Sequence, residues 1–140
     1  MNGAIEYSVG FRIIDDNLDP AEITKMLGIV PDDAHRKGEP NTKITPKGKI
    51  LHYAPFNTGI WIVNSHEERH EILARHIKSL LDILYPLKDK LAELTSRGYK
   101  MDIFCGAFLN EVQQPGFDIS PDILLQMGEM NIKIGMCIYP

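Results

Sequence analysis

At 140 residues, with 44% apolar and 24% charged side chains, the chain has the length of one domain that buries about two-thirds of its unfolded surface. A formal net charge of −4 argues against nucleic acid as the main partner, because phosphate binding needs a basic face. There is no apolar run long enough to span a membrane and no signal-peptide pattern, so membrane insertion and export are not indicated and a cytoplasmic location is expected.

Residues 5–13 alternate. Ile5, Tyr7, Val9, Phe11 and Ile13 point one way and Glu6, Ser8, Gly10 and Arg12 the other, the pattern of a half-buried strand. A short helix follows, with Asp19 as N-cap, Pro20 at its first position and Gly28 as its stop. Residues 29–57 are too many for an idle loop. Within them Thr45-Pro46-Lys47-Gly48 has the residue order of a type I turn between Thr42–Ile44 and Lys49–Tyr53, which predicts a hairpin. The same stretch is locally basic: Arg36, Lys37, Lys43, Lys47 and Lys49 face only Asp32, Asp33 and Glu39. Arg36 and Lys37 are therefore candidate contacts for an anion or an acidic partner.

Residues 58–65 read as a second strand. From Ser65 to Gly98 the period is helical, broken where Pro86 lacks a backbone donor, with Leu87, Leu91 and Leu94 as the stripe of the second piece. Residues 100–109 form a third strand, and 119–128 a helical segment capped by Ser120 with Pro121 at its first position. Residues 131–139 are a fourth strand. Cys105 and Cys137 both fall in apolar strand segments and read as buried free thiols, not as a ligand pair. Leu18-Asp19-Pro20 to Leu27-Gly28 resembles Ile119-Ser120-Pro121 to Met127-Gly128, so the chain reads as two β-α-β halves with a helical pair inserted between them. That predicts an α+β domain over 1–140, ferredoxin-like, with a four-stranded antiparallel sheet and a long hairpin-bearing loop.

His66-Glu67-Glu68-Arg69-His70 fits the H-E-x-x-H pattern of zinc peptidases, in which two imidazoles on one helix face grip the metal and the Glu polarises its water. His66 and His70 lie within about 40° on a helical wheel, and Leu73, Ile77, Leu80, Leu81 and Leu84 continue their stripe. Ser65 and Glu68 make an S-x-x-E capping box, which places His66 in a first turn. The position where related enzymes use a glycine to return a third histidine is Leu73, so an unbroken helix would carry His76 about 80° away from His66. Glu111 or Glu129 could complete a site, but nothing in the sequence points to either. The preferred reading is an amphipathic helix without cofactor; the alternative is a small zinc hydrolase with His66 and His70 as ligands and Glu67 as base.

The second face of the predicted sheet is rich in glycine. Gly10, Gly106 and Gly135 each fall there, on three strands, leaving room for a backbone or ligand. Phe104, Phe108, Tyr139 and Trp61 would wall that space, with Arg12 as its charge. Coverage of this face by the inserted helices or the hairpin is the competing arrangement.

The order of Phe11-Arg12, Pro20 to Leu27-Gly28, Pro31, Gly38-Glu39, Gly59-Ile60-Trp61, Leu80-Leu81, and Pro121, Gly128 and Ile138-Tyr139 resembles a bacterial family known as domain of unknown function 4279. The resemblance covers nearly the whole chain. It implies no assigned activity and no catalytic residues, and the H-E-x-x-H match lies outside its pattern. The expected function is a cytoplasmic, non-catalytic binding module using Arg12, Trp61, Phe108 and Tyr139, or Arg36 and Lys37. Its partner would be a protein, for instance a toxin, or a second copy met through the open sheet face.

Overall fold

The computed structural model describes residues 4–140. Strand β1 (Glu6–Asp15) leads to helix α1 (Pro20–Leu27), then β2 (Asp33–His35) and a separate hairpin of β3 (Asn41–Ile44) and β4 (Ile50–Tyr53). Strand β5 (Gly59–Asn64) is followed by α2 (Leu73–Leu84), a 3-10 turn at Tyr85–Leu87, and α3 (Lys88–Ser96). Then come β6 (Lys100–Phe108), α4 (Pro121–Glu129) and β7 (Lys133–Tyr139).

The local signals act as expected in much of the chain. Asp19 accepts a hydrogen bond from the Ala21 N–H at the start of α1, and Gly28 ends that helix at φ 70°. Only glycine takes this left-handed position without steric cost, so the helix stops there. Gly48 N–H donates to the Thr45 carbonyl at 2.8 Å and closes the predicted turn. Pro86 sits in the 3-10 turn that separates α2 from α3.

One apolar core joins sheet and helices. Tyr7, Val9, Phe11 and Ile13 of β1, Trp61 and Val63 of β5, and Met101, Ile103 and Cys105 of β6 pack against Ile23, Leu27, Ile77, Leu80, Leu91, Leu94, Ile123 and Met127. Each fully buried Leu, Ile or Phe contributes about 1.5–3 kcal/mol relative to exposure. All four helices contribute to this one cluster, so they lie on one face of the sheet and the opposite face is left to its own side chains. The inserted helices do not cover it.

The sheet differs from the four-stranded antiparallel arrangement expected of a ferredoxin-like duplication. It has five strands in the order β2-β5-β1-β6-β7, and β7 runs parallel to β6. Two causes are local. Asp33–His35, inside the long connection, adds to β5 opposite Ile60–Ile62 as a fifth strand. The second half is a compact crossover in which α4 returns the chain beside β6, and such a connection makes parallel neighbours. The first half instead sets β1 and β5 antiparallel, so the halves are not equivalent. Their helix stops differ too: Gly128 lies inside α4, and Asn131 at φ 57° makes the turn.

A second departure concerns residues 65–72, which are turn and not helix; α2 begins at Leu73. Seven polar or charged residues, Ser65 to Glu71, offer no apolar side chain to anchor a helix to the core. Their backbone is also needed elsewhere. Ser65 N–H donates to the Val9 carbonyl at 2.8 Å, and Tyr7 N–H donates to the Arg69 carbonyl at 2.7 Å. Glu71 N–H closes on the Glu68 carbonyl. The expected capping box becomes a tight turn in which Ser65 Oγ accepts from the Glu67 N–H.

Gly59 opens β5 where backbones crowd. A Cβ there would meet the Asp15 carbonyl oxygen at 2.6 Å and Leu18 Cβ at 2.9 Å. Gly59→Ala is expected to lower unfolding free energy by about 1–3 kcal/mol, read by urea denaturation. An unchanged midpoint would contradict the close approach.

Candidate functional site

The outer face of the sheet is built on a fixed register. Arg12 pairs with Asp102, Gly10 with Phe104, Ser8 with Gly106 and Glu6 with Phe108 across β1 and β6. Across β6 and β7, Phe104 meets Gly135, Gly106 meets Cys137, and Phe108 meets Tyr139. These residues share one face because side chains alternate along each strand.

Two tiers of cation on aromatic cross this face. In the first, Arg12 donates from Nε and Nη2 to the two carboxylate oxygens of Asp102 at 2.8 and 2.6 Å. Its guanidinium also lies 4.5 Å from the centre of the Phe104 ring. Phe104 in turn leans over Gly135, where a Cβ would sit 3.5 Å from Cδ2. Asp102 is buried, so the bidentate pair is what makes its charge tolerable. In the second tier Arg69 donates to Glu6 at 2.9 Å and lies 5.2 Å from the Phe108 ring centre. Phe108 stacks on Tyr139 at 4.7 Å with an interplanar angle of 11°. Asn110 Nδ2 donates to the other Glu6 oxygen. The Arg69 hydrogen bond, more than its charge, holds the Glu6 carboxyl below the ordinary range.

The glycines do not leave an open floor. Asn64 Oδ1 stands 2.7 Å from where a Gly10 Cβ would be, Phe108 Cε2 stands 3.6 Å from that of Gly106, and Phe104 covers Gly135. Each missing side chain lets a larger neighbour lie flat.

The sequence-derived candidates are scattered. Phe108 and Tyr139 meet, joined by Arg69, which sequence reading missed because it assigned residues 65–72 to a helix. Arg12 is on the same face but committed to Asp102. Trp61 is on the opposite face, fully buried, with its indole N–H donating to Thr24 Oγ1 at 3.1 Å; it ties α1 to β5 and is not a wall of the outer face. Its register partner is Ile13, a core-face residue, and that pairing alone moves it. Arg36 reaches Asp19 at 2.8 Å and Lys37 reaches Asp16 at 3.2 Å, so acids around the start of α1 neutralise both.

The H-E-x-x-H residues lie on a turn, so the shared helix face that would aim His66 and His70 at one ion is missing. His66 projects into solvent, 3.7 Å from Asp32, and Glu67 lies 4.0 Å from Arg75. His70 lines a cleft with Ile5, Tyr7, Ile72 and Phe117. Among the described residues no group of three or more His, Cys, Asp or Glu side chains is placed to hold a metal ion. His76, expected away from the stripe, is instead buried on it. With the helix starting at Leu73, His76 falls about 60° from Leu73 and inside the apolar face. Its Nδ1 is 2.9 Å from Ser65 Oγ and its Nε2 is buried without a partner.

The edges of the sheet are unequal. One is β2, three residues that include Asp33. The other is β7, seven residues whose one charge is Lys133. Leu109 N–H donates to the Tyr139 carbonyl at 2.9 Å, so Tyr139 turns its backbone groups toward β6. By alternation Ile134, Met136 and Ile138 turn theirs outward, where among the described residues no strand lies. The side chains of Ile134 and Ile138 are 39% and 59% exposed, and Tyr139 is 43% exposed. The described helices include none long and apolar enough to cross a membrane.

The family model for Domain of unknown function (DUF4279) matches residues 5–140, and the chain belongs to that family. No curated protein and no solved structure matches it significantly.

Burial lowers the His76 pKa below its ordinary value, against the nearby Glu67 charge, which raises it. A depressed histidine favours the neutral form in the folded state, so stability is complete above the unfolded value near 6.5 and is lost as pH falls through the folded value. Thermal melts should drop between pH 7 and pH 5, and His76→Gln should flatten that slope; an equal slope in the variant would assign the effect elsewhere. Burial pushes the Cys105 thiol up to about 11, with Asp102 adding to it. Native protein at neutral pH should therefore react with a disulfide reagent at Cys137 and not at Cys105, as peptide mapping would show.

Proposed function

We propose that this DUF4279 member is a non-catalytic binding module that takes an extended segment of a protein partner as an added strand along β7. The observation that carries the reading is the unpaired backbone of Ile134, Met136 and Ile138 beside exposed apolar side chains. Backbone N–H and C=O groups gain little from an apolar, half-exposed setting, and an added strand satisfies them while burying Ile134 and Ile138. Natural edges are blunted by shortness or charge, as β2 is; β7 has only Lys133 at its start.

The aromatic tier extends this edge onto the outer face. Tyr139 is the last residue of β7, held by Phe108 and, behind it, Arg69. A rigid, stacked tyrosine at a strand edge provides contact area with little rotamer entropy left to lose. The charges on β1, on β6 and at Arg69 are paired internally, as Arg12–Asp102 and Arg69–Glu6, and β7 adds only Lys133 to this face, which favours recognition by backbone pairing and apolar contact over recognition of a charged ligand.

Amide hydrogen exchange tests the reading. In dilute protein the N–H groups of Ile134, Met136 and Ile138 should exchange fast, while those of Gly135 and Cys137 are protected by β6. A short peptide alternating valine and threonine should slow the first set, and Ile138→Lys should abolish that protection. Fast exchange at all three positions under saturating peptide would defeat strand addition.

A further inference from the structure

The β7 sequence is complementary to itself, and from this we infer that the strand added along β7 is that of a second copy, antiparallel and related by a two-fold axis through Met136. The inference rests on the reading of β7 as the docking edge. A two-fold at Met136 sets Lys133 opposite the partner's Tyr139, Ile134 opposite the partner's Ile138, and Gly135 opposite the partner's Cys137. Apolar meets apolar on the helix side of the sheet, and a cation meets an aromatic ring on the outer side. No like charges are brought together.

Backbone parity permits this axis, and the length of the ladder selects it over its neighbours. Ile134, Met136 and Ile138 are the residues whose N–H and C=O groups face outward, and this register pairs them only with one another. Each such pair exchanges two hydrogen bonds, giving roughly six across the junction. An axis at Cys137 would set Ile134 opposite Pro140, which has no N–H, and would shorten the ladder. An axis at Gly135 would leave Ile138 and Tyr139 beyond the paired strand. Only Met136, the middle of the seven residues, engages the whole strand.

The chemistry of the junction follows from the same register. Ile134, Met136 and Ile138 from both copies form one apolar row where the helix layer leaves β7 half-exposed. The joined sheet runs β2-β5-β1-β6-β7 and then the same order reversed, so the exposed edges that remain are two copies of the short, acidic β2. Pairing therefore closes the assembly at a dimer, as an isologous two-fold contact does. One strand pair is a small interface, so the dimer should be weak and concentration-dependent.

Sedimentation equilibrium from micromolar to millimolar full-length chain tests this, beside exchange of the Ile134, Met136 and Ile138 N–H groups over the same range. A monomer–dimer equilibrium is expected, with slower exchange at those three positions as concentration rises. Ile134→Lys and Ile138→Glu should each raise the midpoint concentration about tenfold or more, and the double variant should restore it by placing each lysine opposite a glutamate. Circular dichroism melts confirm that the variants are folded. A chain that stays monomeric throughout, a dimer indifferent to all three variants, or a double variant no better than folded single variants overturns the self-pairing. If the chain is monomeric while the valine–threonine peptide still protects β7, strand addition stands and the second copy falls; if the peptide also leaves β7 unprotected, both fall.

Discussion

The central strand β1 is longer than its neighbour β5, and the backbone bonds left over at its amino-terminal end organise much of what surrounds them. β5 pairs with β1 only from Gly10 to Asp15. The groups before Gly10 still need partners, since unpaired buried N–H and C=O groups cost free energy. Ser65 takes the Val9 carbonyl and Arg69 takes the Tyr7 N–H. Residues 65–71 are thereby held as an extended turn along the strand, and the helix can begin only once Leu73 supplies an apolar anchor. The same bond sets Arg69 where it reaches both Glu6 and the Phe108 ring. One backbone requirement thus disperses the H-E-x-x-H residues and builds the aromatic tier that ends at Tyr139.

The outer face shows how a sheet can be left without a helix layer and still be ordered. Its three glycines are matched to Asn64, Phe108 and Phe104, so small residues serve as seats for large ones. Its buried carboxylate, Asp102, is answered by both donors of Arg12. With Arg12, Asp102, Arg69 and Glu6 paired and the gaps filled, little at the centre of this face is free to recognise a ligand. The exposed chemistry lies at the rim, where among the described residues β7 has no neighbouring strand on its outer side.

The contrast between the two rims explains why binding is placed at one of them. β2 is short, carries Asp33, and sits near the acids that hold Arg36 and Lys37. β7 is longer, mostly apolar and parallel to β6, because α4 brings it back beside that strand in a compact crossover. A duplicated antiparallel sheet would have placed this strand differently. The proposal for this protein therefore depends on a feature of topology, and the residues concerned look like ordinary strand residues when read along the chain.

Sequence by itself determined the elements whose signals are local. The alternation of β1, the Asp19 and Gly28 caps of α1, the Thr45–Gly48 hairpin turn and the Pro86 break each depend on neighbours within a few residues. It also brought Phe108 and Tyr139 onto one face, because strand alternation is enough for that. Tertiary structure alone decided the rest. Trp61 went to the core because it stands opposite Ile13, β2 joined the sheet because Ile60–Ile62 offered a free edge, and residues 65–72 lost their helix to the hydrogen-bond needs of β1. These outcomes turn on which distant backbone groups lack partners, and periodicity along one segment carries no information about the unpaired groups of another.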